Sequence, residues 1–535
     1  MRASHASLVT GVMAFLAVTL LGGEWLGAQD APPATPAQEQ PEVLSRGPVH
    51  EAFAAPVDLQ LEEGMVTPSQ PPAIIEEVPP AEKPQGQQFV WIPGYWSLDA
   101  DRSGYIWVSA CWRVAPPKMS WVPGYWSQAP GGWKWVSGFW TPAGAQEFVY
   151  LPAPPAVADV EPRDAAPSAD TIWVPPCMYW VQGQYTRRDG YWLAAQPDWI
   201  WAPSHYVWTP RGYVFADGHW DYALERRGVL FAPVYFPASV YGRSGYTYSP
   251  SVVLDIGLLQ VSLFAYPRYS HYYFGDYYDD AYLRVGIYPW FDSRRLHTWY
   301  DPIYEHDRWQ HHRTEPRWEA RERDTYRRSR DDKSLRPART YREQEARLAK
   351  LPEPQRRAHQ VAQPIAVAAA NRETPLKFER INTGERQKIV KQATASHEFS
   401  EDRSHWEAKA ASPRTVVEPI KEHKATVTPD ERHQETVTPK KERKSDVTPS
   451  VERKEPAPPA VTREPVVAPP SETRTIEPER VRLPARPIVD RSEVPDVIQK
   501  GPPNRPSGED RGREARDSRD ADKDMRKDKD SRHND

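Results

Sequence analysis

The most regular pattern in the chain is a short run of aromatic and β-branched residues around one small residue. Its first four copies are FVWIPGYW (89–96), YIWVSACW (105–112), MSWVPGYW (119–126) and WKWVSGFW (133–140). Turn-forming residues separate the copies, so the pattern predicts short antiparallel β-strands joined as a meander. A helix is excluded, because each copy places Pro, Gly or a β-branched residue where a helix needs continuity.

The small residue in each copy is expected to serve packing. In a regular strand Trp91 and Trp96 point to opposite faces, so either both faces are covered or a bulge near Gly94 brings the rings together. Ala110 stands where the other copies have Gly, so a left-handed backbone is not required there. We therefore expect the small residue to make room for a neighbouring ring. The residues that define the repeat are Trp91, Gly94, Trp107, Trp112, Trp121, Gly124, Trp135, Gly138, Gly218 and Trp220.

A second aromatic module is predicted at 171–240, after a Pro-rich linker at 142–170. YVFADGHW (213–220) keeps the frame with Phe215 in place of the leading Trp, whereas IWVPPCMYW (172–180) loses the Gly. A Tyr-rich β region follows at 241–300, and its apolar run VVLDIGLLQVSLF (252–264) is expected to be a buried strand. The predicted fold class is therefore mainly β, with two aromatic modules at 88–141 and 171–240.

The N-terminus has the form of an export signal. Arg2 and His5 precede an apolar run from Leu8 to Leu21, and Leu-Gly-Ala (26–28) offers small residues for cleavage. The alternative is an anchor that stays uncut. Residues 1–28 are interpreted as a signal peptide and 29–87 as a disordered leader rich in Ala, Pro and Glu. The mature protein is expected to be periplasmic, associated with the outer envelope or secreted, with no transmembrane span after signal removal.

The C-terminal part is charged. Residues 301–352 are expected to be partly helical, with a short helix at 340–352. In this helix Thr340 and Glu343 are expected to form a capping box, and Glu343 is expected to pair with Arg347. Residues 353–535 are predicted to be a disordered Pro/Lys/Glu tail, in which VTP recurs at 427–429, 437–439 and 447–449. The tail is expected to be extended and polyproline-like.

Composition and cysteines narrow the function classes further. Proline accounts for 58 of 535 residues, and the formal net charge is −4. The aromatic region has no basic stripe, so no nucleic-acid partner is expected. Cys111 and Cys177 each lie four residues after a Trp. They are expected either to form one disulfide between the modules or to remain two buried free thiols.

The repeat resembles the YXWGXW, or WXXGXW, repeats of a BcpO-related family of bacterial proteins. The resemblance covers 89–140, recurs at 213–220 and extends over about a quarter of the chain. It implies an exported protein with a small β repeat. It supplies no catalytic residues.

Binding chemistry is the main candidate activity. Outward-facing rings at Trp96, Trp126 and Trp140 are interpreted as a platform for sugar faces. The alternative is that the rings, above all Trp91, Trp121 and Trp135, form the core of a small sheet.

Other chemistry has weaker support in the sequence. HDRWQHHR (306–313) groups His306, Asp307, His311 and His312, but the five-residue spacing of His306 and His311 suits one metal poorly on a helix. YSHYYFGDYYDD (269–280) lacks calcium-loop spacing. No metal or cofactor is expected.

Three functions therefore stay open. The first is a non-enzymatic structural or interaction protein of the bacterial cell envelope, with envelope proteins or cell-wall polysaccharide as partners. The second is a tethered carbohydrate- or peptidoglycan-binding module. The third is a hydrolase around 250–312, which would have to bring Asp276 together with His271 or His306.

Overall fold

The structure is a computed structural model that describes residues 40–61, 64–101, 104–158, 160–312, 314–371, 376–408 and 478–482. The fold is mainly β and consists of short, aromatic-rich, antiparallel strand pairs, which confirms the predicted fold class. The predicted signal peptide and the VTP repeats lie outside the described residues.

The strands follow one another in chain order as β1 (Glu42–Val43), β2 (Gly47–Pro48), β3 (Val57–Asp58), β4 (Val66–Thr67), β5 (Glu76–Glu77), β6 (Glu82–Pro84), β7 (Phe89–Ile92), β8 (Tyr95–Leu98), β9 (Tyr105–Val108), β10 (Cys111–Val114), β11 (Met119–Val122), β12 (Tyr125–Ala129), β13 (Gly132–Val136), β14 (Phe139–Pro142), β15 (Glu147–Leu151), β16 (Thr171–Val174), β17 (Cys177–Val181), β18 (Gln184–Arg188), β19 (Tyr191–Ala194), β20 (Trp199–Ala202), β21 (His205–Thr209), β22 (Gly212–Ala216), β23 (His219–Tyr222), β24 (Gly228–Leu230), β25 (Val234–Tyr235), β26 (Thr247–Tyr248), β27 (Val252–Leu254), β28 (Leu263–Tyr266), β29 (His271–Phe274), β30 (Tyr288–Pro289), β31 (Trp299–Tyr300), β32 (Ala362–Pro364), β33 (Phe378–Arg380) and β34 (Glu479–Arg482). The α-helices are α1 (Ala238–Tyr241), α2 (Ile256–Val261), α3 (Asp280–Val285), α4 (Ser293–Leu296), α5 (Pro302–His311), α6 (Trp318–Asp331), α7 (Tyr341–Leu348), α8 (Glu353–Arg357), α9 (Ile365–Ala370) and α10 (Thr383–Ala408).

The single repeats associate in pairs, which we call double repeats. Double repeat 1 (89–114), double repeat 2 (119–142), double repeat 3 (171–194) and double repeat 4 (199–222) are four bent hairpins of four strands each. In every hairpin the first strand pairs with the fourth and the second with the third, on either side of a break in the strands. The second module therefore has the same architecture as the first.

This pairing sets tryptophans opposite each other across the strands. Their ring centroids lie 4.9 to 5.5 Å apart in edge-to-face geometry, which adds stabilisation beyond the area that the rings bury. The pairs are Trp91–Trp112, Trp96–Trp107, Trp121–Trp140, Trp126–Trp135, Trp173–Trp192 and Trp201–Trp220.

The glycine at each break lies beneath the leading tryptophan of the partner repeat. A Cβ atom built on Gly138 would lie 2.3 Å from Cζ2 of Trp121, and one on Gly190 would lie 2.2 Å from Cζ2 of Trp173. Neither glycine has a left-handed φ angle. The prediction that the small residue makes room for a ring is therefore confirmed. Gly190 was missed in the sequence because YTRRDGYW (185–192) has no leading Trp.

The prediction of a disordered leader at 29–87 is wrong for its described part. Strands β1 to β6 each join a different sheet, pairing with β25, β29, β31, β13, β26 and β33. Val49, Phe53 and Ala54 lie in the main core cluster. Strands of two or three residues on sheet edges tolerate this Ala- and Pro-rich composition, because they need few ladder hydrogen bonds of their own.

The apolar run 252–264 is not one strand. It forms β27, α2 and β28, because Asp255 interrupts the run and its side chain caps α2 by accepting a hydrogen bond from the amide of Leu258. The predicted linker at 142–170 likewise contains a strand, β15.

The C-terminal predictions are partly right. Thr340 caps α7 by accepting from the Glu343 amide, and Glu343 pairs with Arg347, as expected. The prediction of a disordered tail from 353 is wrong for residues up to 408, where α8, α9 and α10 form. Helix α10 is held by burial of Ala393 and Phe399 in two core clusters.

Candidate functional site

The break in each bent hairpin leaves backbone amides without a strand partner, and in double repeats 1 and 2 a buried carboxylate supplies the acceptor. In double repeat 1, one oxygen of Glu77 accepts from the amides of Gly94 and Ala110, each at 3.0 Å. Burial raises the pKa of Glu77 to about 7, and the two amide hydrogen bonds oppose that shift. Since buried amides need partners, Glu77 holds both repeats of this hairpin together.

Double repeat 2 uses Glu51 in the same way. Its carboxylate accepts from the Gly138 amide at 2.9 Å and from the Trp135 indole at 3.2 Å. Burial raises the pKa of Glu51 to about 7. Both carboxylates come from the segment that the sequence predicted to be a leader.

Helix α10 supplies hydrogen-bond donors to the backbone carbonyl oxygens at the same breaks. Arg403 donates to the carbonyl oxygens of Pro123 at 3.0 Å and Ser137 at 3.5 Å. Its guanidinium also pairs with Glu407 at 2.9 Å, and both side chains are fully buried. His397 contacts the Gly94 carbonyl at 3.0 Å. The N-terminal segment, which we define as the described residues between 40 and 87, and α10 thus both bind the breaks of double repeats 1 and 2. We call these two sets of hydrogen bonds the clamps.

A cavity of about 360 Å³ lies between double repeats 2 and 4, and residues 51–58 of the N-terminal segment also line it. This volume is within the usual range for small-molecule sites. Aromatic rings form much of its wall: Trp121, Trp135, Trp140, Tyr206, Trp208, Tyr213 and Tyr272.

Three of these rings, those of Trp121, Trp208 and Tyr213, are only partly buried. Trp208 and Tyr213 are cross-strand neighbours on β21 and β22. Lys134, which comes from β13 of double repeat 2, places its Nζ atom 3.5 Å from the centroid of the Trp208 ring. This cation–π contact joins the two walls of the cavity.

Two histidines on the wall are held neutral. Burial lowers the pKa of His205 to about 4 and also lowers the pKa of His219. The Nδ1 atom of His205 lies 3.0 Å from the Pro203 carbonyl, and that of His219 lies 3.1 Å from the Asp217 carbonyl. Each Nδ1 therefore carries the proton, which makes Nε2 a hydrogen-bond acceptor.

Asp221 contributes a carboxylate to the same wall of the cavity. The Nη2 atom of Arg113 donates to both carboxylate oxygens of Asp221, at 2.7 and 2.5 Å, and Arg227 lies 3.1 Å away. Burial alone would raise the pKa of Asp221, but the two guanidinium groups lower it. The carboxylate thus stays ionised and links double repeats 1 and 4.

The rings predicted to face outward do not all do so. Trp96 is 1% exposed and Trp140 is 8% exposed, so the outward orientation predicted for them is wrong. The cross-strand partners of Trp96 and Trp140, together with neighbouring elements of the fold, cover these two rings. Trp126 is partly buried and donates its indole N–H to the Trp96 carbonyl at 2.9 Å. Only Trp140 of the three lines the cavity.

Of the two alternatives for the cysteines, the disulfide is wrong and the pair of free thiols is right. Cys111 and Cys177 are both free thiols. Cys111 begins the fourth strand of double repeat 1, opposite Ile92, and Cys177 begins the second strand of double repeat 3, opposite Arg188, so the two thiols lie on separate sheets. Cys111 is buried, which raises the pKa of its thiol to about 12.

The residues proposed for a hydrolase contact different structural partners. The ring of His271 lies 2.7 Å from the Tyr95 hydroxyl, and Asp276 pairs with Arg339 at 2.8 Å. His306 contacts the Pro197 carbonyl. Across the described ranges, no group of three or more His, Cys, Asp or Glu side chains is arranged to hold a metal ion.

The cavity residues of double repeat 4 were missed from the sequence because its copies are incomplete. One signal was present: Lys134 is the only charged residue within the first four copies of the frame. A charged residue in an otherwise apolar repeat indicates a contact that the other copies do not make.

In comparisons with known proteins, no family model, curated protein or solved structure matches this chain. Among the helices of the described residues, none combines the length and apolar character needed to cross a membrane.

Proposed function

We propose that the protein is an exported, non-enzymatic interaction protein of the bacterial envelope whose aromatic cavity binds a cell-wall carbohydrate. The observation that supports this proposal is the cavity between double repeats 2 and 4. It combines partly buried rings at Trp208 and Tyr213 with neutral histidine acceptors and charged groups. Sugars present apolar faces that stack on aromatic rings and hydroxyl groups that need such acceptors.

Export and membership of the WXXGXW repeat proteins belong to the same proposal. They rest on the N-terminal sequence and on the frame of the repeat. The described geometry favours the carbohydrate-binding interpretation over a purely structural role, because a repeat that served only as a scaffold would not need a cavity lined by polar groups. A hydrolase is not proposed, since His271, Asp276 and His306 each contact a different structural partner.

Isothermal titration calorimetry of the full mature chain with soluble peptidoglycan fragments and β-glucan oligosaccharides tests the proposal. Trp208→Ala removes a stacking ring and is expected to weaken binding about tenfold, which corresponds to about 1.4 kcal/mol. The matched control is Trp180→Ala, because Trp180 is also partly buried but lies in double repeat 3, outside the cavity.

Binding that falls equally in both variants would place the sugar elsewhere. Absence of binding by the wild-type chain to every saccharide would favour the purely structural role instead.

A further inference from the structure

Strand β15 accepts a strand from the far end of the chain. Past Ala408, the described part of the chain consists of residues 478–482, which include β34. Strand β34 lies antiparallel to β15, with Phe148 opposite Val481 and Tyr150 opposite Glu479. It completes a sheet in the order β21-β22-β15-β34. Strand β34 therefore covers the edge of β15.

Side chains fix the register of this added strand. Arg480 pairs with Glu147 at 2.5 Å, and Glu479 pairs with Arg211 at 2.5 Å, so the charges complement each other in both directions. Val481 packs against the apolar cluster that contains Phe148. A strand shifted by one residue would turn Val481 to solvent and separate both ion pairs.

The tail contains similar segments, but they differ at the apolar position. Glu-Arg occurs also at 431–432, 442–443 and 452–453, where the next residue is His433, Lys444 or Lys454. Only Glu479-Arg480 is followed by valine. The edge of β15 thus selects one segment of the tail by an apolar contact combined with two ion pairs.

We propose that the edge of β15 is a strand-docking site, and that the Glu-Arg-Val-Arg strand of a second copy of this chain occupies it when copies are crowded. The proposal is independent of carbohydrate binding. Main-chain hydrogen bonds supply the affinity in this mode of recognition and the side chains supply the selectivity. Every contact made by β34 within one chain can form identically between two chains.

The distance along the chain makes exchange feasible. Pro478 lies 70 residues after Ala408, and the sequence predicts an extended tail between them. A segment on so long a tether has an effective concentration of about a millimolar or less, so neighbouring copies at comparable local concentration compete for the edge. Each copy carries both the donor strand and the acceptor edge, so two copies that exchange their strands reciprocally form a closed dimer.

The first test uses a fluorescent peptide with the sequence of residues 476–485. The full-length Val481→Asp variant should bind it at least tenfold more tightly than wild type, because its own strand no longer competes. Val489→Asp, which alters the tail outside the strand, should bind like wild type. A peptide carrying Val481→Asp should not bind. Failure of the Val481→Asp chain to bind the wild-type peptide would overturn the docking site.

The second test uses charge reversal at exposed positions and asks for exchange between copies. A Glu147→Arg chain repels its own Arg480, and an Arg480→Glu chain repels its own Glu147. Mixed together, the Arg480→Glu tail fits the Glu147→Arg edge. Analytical ultracentrifugation should show dimers in the equimolar mixture and monomers in each variant alone. A mixture that stays monomeric at several hundred micromolar would overturn the exchange between copies.

Discussion

The contact between glycine and tryptophan at each break predicts the effect of adding a single methyl group. In Gly138→Ala, the new Cβ atom would lie 2.3 Å from Cζ2 of Trp121, 2.7 Å from the Val122 carbonyl oxygen and 2.8 Å from Oε1 of Glu51. Distances this short force the ring and the carboxylate to move. Overpacking costs about 1–3 kcal/mol, and a weakened bond to the Glu51 carboxylate adds about 1–2 kcal/mol. We expect the free energy of unfolding to fall by about 3 kcal/mol.

Urea unfolding followed by tryptophan fluorescence measures this loss. Gly144→Ala is the matched control, because its Cβ atom would have no neighbour within 4 Å. It should change the free energy of unfolding by less than about 0.5 kcal/mol. Trp121→Phe removes Cζ2, so the double variant Gly138→Ala/Trp121→Phe should lose less than the sum of the single losses. Equal losses for Gly138→Ala and Gly144→Ala, or strict additivity in the double variant, would refute the packing role of the glycine.

Three further predictions concern the two clamps and the buried His271. Glu77→Ala leaves two buried amides without an acceptor and should cost about 2–4 kcal/mol in urea unfolding, whereas the exposed neighbour Glu76→Ala should cost less than about 0.5 kcal/mol. Arg403→Met leaves Glu407 buried without its partner and should cost about 3–5 kcal/mol; a smaller loss than that of Glu76→Ala would contradict the clamp. Burial lowers the pKa of His271 to about 3, so the folded state stays neutral while the unfolded state takes up a proton below about pH 6.5. Stability is therefore lost as the pH falls, and His271→Gln should lose about 2 kcal/mol less than wild type between pH 7.5 and 5.0; equal losses would disprove this linkage.

The local part of the fold could be predicted from the sequence. Aromatic alternation and turn residues identified the strands of 89–140, and the substitution of Ala110 for Gly pointed to packing as the role of the small residue. The capping box at Thr340 identified α7. These signals lie within a few neighbouring residues, where chain stiffness and side-chain spacing decide the structure.

The clamps and the cavity could not be predicted because they depend on contacts between distant segments. Glu51 and Glu77 lie in an Ala- and Pro-rich segment that has no periodicity of its own. Their partners become apparent only when two repeats pair and their break amides converge. Trp96 and Trp140 look exposed by strand alternation, but elements far away in the sequence cover them. Alternation reports which residues share a face and not what covers that face.

The two clamps on double repeat 2 have a consequence for the order in which the chain matures. Glu51 precedes Gly138 by 87 residues, whereas Arg403 follows Pro123 by 280 residues. During synthesis from the N-terminus, the acceptor for the break amides is therefore made before the hairpin, and the donor for its carbonyl oxygens is made long after. Contacts of such sequence separation slow folding. We therefore expect α10 to dock last, and a chain truncated before residue 403 to form double repeat 2 without the hydrogen bonds to the Pro123 and Ser137 carbonyl oxygens.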